Sequence, residues 1–153
     1  MTDKCYRCGR PLDWADHIRA EIRKERAERF KDSPQITLGE LIKQVESAIK
    51  EQANMLVYFD FVNTAPENIA CFWNAPSELM LTYHKKPTKA ENFLDILKWA
   101  VDTDFSWKGG EYYMTEDTPI WVGEEYCRVG MTGIIGTFIE DGTLFIETKH
   151  CKY

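Results

Sequence analysis

The chain has 153 residues, of which 44% are hydrophobic, 13% aromatic and 29% charged. This length and composition are those of one ordinary globular domain, alone or with a short appendage, and they exclude collagenous and disordered proteins. No stretch approaches the ~18 consecutive apolar residues that a transmembrane helix needs, and the N-terminus lacks the apolar segment of a signal peptide. We therefore expect a soluble, cytoplasmic protein.

The net charge of −6 is unevenly distributed along the chain. Residues 1–36 hold 9 basic and 7 acidic side chains, whereas residues 37–153 hold 10 basic and 18 acidic ones. An acidic body repels the phosphate backbone of nucleic acids, so we expect neither duplex nucleic acid nor a membrane among the partners. The shift in charge also divides the chain into an N-terminal arm, 1–36, and a main domain, 37–153.

The arm begins with Cys5-x-x-Cys8 followed by Gly9, a spacing that presents two thiolates to one Zn²⁺ and is typical of half a zinc ribbon. Five cysteines in a cytoplasmic context do not indicate a disulfide framework. Cys5 and Cys8 are therefore candidate zinc ligands, but their ligand set is incomplete, because tetrahedral zinc needs four ligands. The missing ligands stay open: the same knuckle in a second subunit, which leads us to expect a homodimer, or His17, Cys127, His150 and Cys151.

Three segments have the composition and spacing of helices. Residues 15–31 are highly charged with a thin apolar stripe, which indicates a solvated helix or an arm that docks on a partner. Thr37 and Glu40 form a capping box, so a second, amphipathic helix should begin at Thr37 and run to about Gln52. A second capping box, Thr88 to Glu91, predicts a third helix of the same kind.

Short apolar and aromatic runs predict the strands. Asp141-Gly142 between two such runs is a strong hairpin signal, and Gly133 and Gly136 within one run indicate a bulge or a close backbone approach. We therefore expect an α+β fold with a mostly antiparallel sheet packed by two amphipathic helices. The predicted strands are 55–62, 69–73, 78–84, 111–114, 119–122, 126–139 and 143–150, with a turn over 63–68.

The segment Asp104–Met114 combines adjacent glycines, a lysine and several aromatic residues. Glycines let backbone amides approach a ligand, lysine neutralises phosphate, and aromatic rings stack on bases. If neighbouring strands complete one concave surface, it suits a nucleotide-sized ligand. The alternative is a plain hairpin turn with aromatic residues in the core. The candidate ligand-binding residues are Trp107, Lys108, Gly109, Gly110, Glu111, Tyr112, Trp121, Thr132 and Gly133.

The runs Lys108–Met114 (Lys-Gly-Gly-Glu-Tyr-x-Met) and Thr118–Val122 (Thr-Pro-x-Trp-Val) resemble a family of small bacteriophage proteins. The resemblance spans about residues 37–150 and implies a compact accessory protein in the cytoplasm of a host cell. Such a protein would act against host defence by sequestering a nucleotide-type immune signal. The alternative is an inhibitor or adaptor that binds a host protein through the N-terminal arm.

The sequence also favours a binding protein over an enzyme. An enzyme needs a nucleophile and a base, or two acids, within reach of each other. The three histidines, His17, His84 and His150, lie in unrelated segments. The P-loop, GxGxxG, GxSxG and HExxH motifs are absent from the sequence.

The candidate zinc site predicts a measurable metal content. Purified full-length protein should hold at least one zinc per two chains, and Cys8→Ser should lower that content, because the thiolate is the ligand. Elemental analysis measures both, with Cys71→Ala as a control that keeps the knuckle intact. Well under one zinc per two wild-type chains would contradict both the closed site and the shared site.

Overall fold

The computed structural model describes residues 14–61, 63–72, 75–123 and 131–151, which fall into two units divided between Asp32 and Ser33. The first unit contains one helix, α1 (Trp14–Phe30). The Cys5-x-x-Cys8 knuckle and residues 126–130, the first part of one predicted strand, lie outside the described residues. Within the described ranges, no helix is long and apolar enough to cross a lipid bilayer.

The second unit is an α+β fold, and its described residues form two helices and nine strands. The helices are α2 (Leu38–Glu51) and α3 (Ala90–Ala100). The strands are β1 (Leu56–Phe59), β2 (Ala65–Phe72), β3 (Ala75–His84), β4 (Thr88–Lys89), β5 (Thr103–Trp107), β6 (Gly110–Met114), β7 (Ile120–Val122), β8 (Met131–Glu140) and β9 (Thr143–Cys151).

Seven strands form one mixed sheet in the order β2-β3-β7-β8-β9-β1-β4, and β5 and β6 form a separate hairpin. The pairs β3–β7 and β1–β9 are parallel, and the other pairs are antiparallel. The two edges of the sheet meet, because the Thr88 hydroxyl in β4 donates to the Pro66 carbonyl in β2 at 2.7 Å. The sheet is therefore curled into a partly closed barrel.

The hydrophobic core lies against one face of this curled sheet. Alternate residues of a strand point to the same face, and here that face is apolar. Helices α2 and α3 close the core with their apolar stripes, since every third or fourth residue of each is buried. The inward-facing residues include Val57, Phe59, Leu79, Leu81, Ile120, Val122, Ile134, Leu144 and Ile146 from the strands, and Leu41, Val45, Phe93 and Leu97 from the helices.

The two predicted capping boxes have different outcomes. Thr37 is the N-cap of α2 and its hydroxyl accepts a hydrogen bond from the Glu40 amide at 3.2 Å, so this prediction is confirmed. For the second capping box, the predicted third helix is confirmed as α3, but the predicted cap was wrong. Thr88 pairs with Val57 in a β-ladder, and Lys89 caps α3 without a side-chain hydrogen bond. The long-range pairing outcompeted a cap worth about 1 kcal/mol.

The strand predictions were incomplete in three respects. Strands β4 and β5 were not predicted, and β2 begins at Ala65, inside the segment assigned to a turn. The parallel pairs were not predicted either, because a strand sequence does not reveal its partner. The predicted hairpin at Asp141-Gly142 is confirmed, with both residues at positive φ and nine residue pairs between β8 and β9.

The bulge predicted from the β8 glycines is confirmed, whereas the close approach at Gly133 comes from side chains and not from another backbone. The β8–β9 register shifts between Ile134 and Gly136, so Ile135 is the extra residue of a β-bulge. At Gly133 a Cβ atom would lie 2.9 Å from Cys151 Sγ and 3.2 Å from Gln35 Cδ. The bulge and the close contact together fix where this strand bends.

The core predicts a strong contrast between two substitutions on α3. Leu97→Ala should lower the free energy of unfolding by about 2–5 kcal/mol, because Leu97 is fully buried between helix and sheet. Asn92→Ala, on the exposed face of the same helix, should change it by about 0.5 kcal/mol or less. Urea denaturation measures both, and similar losses in the two variants would contradict this packing.

Candidate functional site

The hairpin β5–β6 holds most of the residues that the sequence singled out. Trp107 pairs with Gly110, so the two-residue turn is Lys108-Gly109, with φ values of 46° and 80°. Positive φ at both positions is the type I′ geometry, whose twist matches that of the flanking strands. The turn therefore uses only the first of the two adjacent glycines, and it leaves Lys108 exposed at the tip.

The aromatic rings of this hairpin are largely engaged in packing. Trp107 and Tyr112 lie partly buried against the core. The Tyr112 ring covers Gly110, where a Cβ atom would lie 3.1 Å from the tyrosine hydroxyl oxygen. Lys108 Nζ lies 5.7 Å from the centroid of the Trp107 ring, in cation–π range, and Glu111 is exposed. The hairpin offers a charged tip rather than a ring-lined pocket.

Trp121 is fully buried on the opposite face of the sheet from the core residues Ile120 and Val122. Its ring stacks on Phe72 at 5.1 Å and 11°, and its indole N–H donates to Glu78 Oε1 at 2.7 Å. With no exposed surface, the ring cannot stack on a ligand in this conformation. Gly133 faces Trp121 in the β7–β8 ladder and is likewise buried.

Thr132 belongs to a different part of the surface. It lies at the start of β8, where it lines a cavity of about 460 Å³. The structure therefore separates the predicted site into an exposed hairpin, a buried tryptophan and this cavity. We call the cavity the mouth cavity and define it by its lining residues, Phe61, Tyr83, Thr132, Thr148, Lys149 and His150.

The mouth cavity arises where the inward-facing side chains of the curled sheet change from apolar to polar. In β9 the inward positions run Leu144, Ile146, Thr148 and His150, and Thr132 pairs with His150 across the ladder. In β3 the inward positions end at Tyr83, two residues after Leu81. The core therefore fills the deeper part of the concave face and leaves a polar opening above it.

One wall of the mouth cavity is aromatic. The Phe61 and Tyr83 rings meet edge to face, with centroids 6.0 Å apart and an interplanar angle of 84°. Phe59 stacks beneath Phe61 at 5.0 Å and 14°, and it also meets Tyr83 edge to face at 6.3 Å. These offset and perpendicular arrangements are favourable for aromatic rings, so the three rings hold one another in place.

The opposite side of the cavity is held by Asp60. The Thr148 hydroxyl donates to Asp60 Oδ1 at 2.5 Å, and the Thr148 amide donates to Asp60 Oδ2 at 2.8 Å. The Asp60 amide in turn donates to the Ile146 carbonyl at 3.0 Å. These bonds extend the parallel β1–β9 pairing beyond the end of β1 and fix Thr148 in the cavity wall.

The described cysteines are not arranged for reactive chemistry. Burial raises the pKa of the Cys71 and Cys151 thiols, although the Gly133 amide and the Lys149 charge partly oppose the shift at Cys151. Both thiols are therefore protonated at neutral pH and are poor nucleophiles. Among the described residues, no three His, Cys, Asp or Glu side chains are grouped as metal ligands would be.

Comparisons with known proteins supply no further constraint. No protein-family model matches the chain, and neither a curated protein nor a solved structure shows significant similarity to it. The function therefore has to be inferred from the site itself.

Sequence reasoning missed most of the mouth cavity. It selected Thr132, but it treated His150 only as a candidate metal ligand and did not consider Phe61, Tyr83 or Thr148. A period-two signal was present in β9, where Thr148 and His150 continue the inward series of Leu144 and Ile146. That signal becomes informative only when the neighbouring strands are known.

The raised thiol pKa values predict a component of pH-dependent stability. A thiol whose pKa lies above its ordinary value of 9.0 in the folded protein stabilises the fold below pH 9, and this contribution is lost as the pH rises further. Cys71→Ala should therefore lose less stability than the wild type between pH 8 and pH 10.5. Urea denaturation across this range measures the difference, and parallel curves would contradict the assignment.

Proposed function

We propose that the protein binds a small nucleotide-type ligand in the mouth cavity and does not transform it. The observation that carries this proposal is the joint lining of one cavity by two aromatic rings, two threonines and an exposed histidine. Its volume of about 460 Å³ lies in the range of small-molecule sites, which is roughly 300–1,000 Å³.

The chemistry of the lining matches the parts of a nucleotide. The Phe61 and Tyr83 rings offer apolar surface to a base, and the threonines offer polar oxygens to a sugar. His150 is exposed at the edge of the cavity, where a phosphate would remain partly solvated. Its ring nitrogens can donate a hydrogen bond to an anion there, on a domain that is otherwise acidic.

Binding without turnover agrees with the state of the threonine hydroxyl. The partner of Thr148 is Asp60, which is exposed and also accepts the Thr148 amide. Both carboxylate oxygens of Asp60 are engaged by the backbone amide and the hydroxyl of the same residue, an arrangement that holds the strand in place. Asp60 therefore acts as a clamp on the strand.

The biological role that we propose is sequestration of a nucleotide immune signal of a host cell. The resemblance of Lys108–Met114 and Thr118–Val122 to small bacteriophage proteins motivates this role, and the mouth cavity supplies its chemistry. A protein that only holds its ligand needs affinity and protection from water. It does not need a transition-state site.

The proposal predicts different effects for two exposed nitrogen-bearing side chains. Isothermal titration calorimetry measures the affinity of the wild type for nucleoside monophosphates, cyclic mononucleotides and ADP-ribose, and at least one of these compounds should bind. His150→Ala should weaken its affinity about 10-fold or more, the effect of losing a hydrogen bond to a charged group. Lys108→Ala, at the hairpin tip, should leave the affinity unchanged.

Chromatography of the released ligand completes this test. Intact release supports sequestration, whereas an altered product would make the protein an enzyme. Loss of affinity in Lys108→Ala with full affinity in His150→Ala would move the site to the β5–β6 hairpin. Absence of binding across the series would contradict the proposed function and favour a protein partner for the N-terminal arm.

A further inference from the structure

The hydrogen bonds of Thr148 determine what its side chain can offer to a ligand. The oxygen atoms of Thr148 Oγ1 and Asp60 Oδ1 lie 2.5 Å apart, at the short end of the range for hydroxyl–carboxylate bonds. A carboxylate oxygen accepts hydrogen bonds, whereas a threonine hydroxyl carries a proton to donate. The proton of this bond therefore comes from the Thr148 hydroxyl.

A threonine hydroxyl has one proton and two lone pairs. Because the proton is committed to Asp60, the Thr148 oxygen can only accept a hydrogen bond from a group in the mouth cavity. The second carboxylate oxygen accepts the Thr148 amide, so the clamp cannot reverse without breaking both bonds. A freely rotating hydroxyl would instead serve either a donor or an acceptor.

Thr148 also lies at a defined depth in the cavity. It is the next inward position below His150 on β9, about 6–7 Å deeper along the strand. The parallel ladder ends with the pair Phe59–Ile146, and Phe61 and Thr148, each two residues further along, line the same cavity. If the phosphate of a nucleotide lies near His150, its sugar is the part that reaches Thr148 beside the aromatic wall.

We propose that Thr148, held by Asp60, selects ligands that donate a hydrogen bond at the sugar, and that the site therefore takes ribonucleotides in preference to analogues without a sugar hydroxyl. This inference rests on the proposed function of the mouth cavity. It defines the ligand class more narrowly. The Thr148 oxygen can accept a hydrogen bond from a sugar hydroxyl, but it forms none with a hydrogen or a fluorine at the same carbon.

The test compares adenosine 5′-monophosphate with its 2′-deoxy-2′-fluoro and 3′-deoxy-3′-fluoro analogues by calorimetry. Fluorine is close to a hydroxyl in size but cannot donate a hydrogen bond. The wild type should prefer the parent compound about 10-fold over at least one analogue, the effect of one hydrogen bond of about 1.4 kcal/mol.

Asp60→Asn tests the origin of this preference. The carbonyl oxygen of the new side-chain amide can accept the Thr148 amide, and its NH₂ group then donates to Thr148 Oγ1. This arrangement releases the Thr148 proton into the cavity, so the side chain also becomes a donor. Because organic fluorine is a very weak hydrogen-bond acceptor, the preference for hydroxyl over fluorine should persist in this variant. An analogue that can only accept at this carbon, the 2′-O-methyl or the 3′-O-methyl compound, should instead bind Asp60→Asn about 5-fold more tightly than it binds the wild type, whereas the affinity for the parent compound should stay within a few-fold of the wild type.

Two further variants separate this effect from a loss of structure. Thr148→Val keeps the shape but removes the acceptor, so the preference should disappear and the parent compound should bind more weakly. Asp104→Asn removes the same charge from an exposed position on β5 and should keep the wild-type preference. The melting temperature of each variant shows whether the fold is intact.

The outcomes distinguish the two proposals. If adenosine 5′-monophosphate does not bind the wild type at millimolar concentration, the ribonucleotide inference is overturned, and the proposed function is decided by the wider ligand series. If it binds but the fluoro analogues bind equally well, the proposed function stands and the role of Thr148 is wrong. Equal affinity of the O-methyl analogues for the wild type, Asp60→Asn and Asp104→Asn would also overturn that role.

Discussion

The register of the β8–β9 hairpin is the constraint on which the rest of the second unit depends. These strands lie at the centre of the curled sheet, with β7 on one side and β1 on the other. A shift of one residue in register moves every side chain of a strand to the other face of the sheet. The bulge at Ile135 has this effect within β8, because it adds one unpaired residue between Ile134 and Gly136. Because of the bulge, Thr137 and Ile134 lie on the same inward face although they are three residues apart. Thr132, two residues before Ile134, is on that face as well and lines the mouth cavity.

The same bulge determines the opposite face of the sheet. It directs Gly133 outward, where the residue meets Gln35 and pairs with Trp121. A side chain at this position would displace Gln35, whose amide donates to the Ile120 carbonyl at 2.7 Å. Trp121 is consequently locked between Phe72 and Glu78. An aromatic residue that the sequence offers as a ligand contact is therefore a structural residue of the outer layer.

The sequence could predict the parts of this fold that local interactions decide. Thr37 and the Asp141-Gly142 turn act within a few residues, so their signals could be read directly. Thr88 has the same local pattern as Thr37, yet a pairing with β1 and a hydrogen bond to Pro66 override it. For the candidate site, the sequence could single out aromatic residues and Thr132. Whether each of these side chains is exposed depends on which strands pair with each other, and the sequence does not show this. Only the pairing across the curled sheet brings Tyr83 close to Thr148.

The mouth cavity shows how a barrel-like sheet can form a polar cavity at one end of its concave face. Apolar inward residues hold the deep part of the concave face together, and polar residues at the same period-two positions continue the pattern towards solvent. The parallel β1–β9 pairing then places Asp60, the residue after the end of β1, beside Thr148. The hydrogen bond between them directs the proton of the Thr148 hydroxyl towards Asp60. Strand pairing thus determines the hydrogen-bond polarity of Thr148 in the cavity, and our proposal of ribonucleotide binding depends on this polarity.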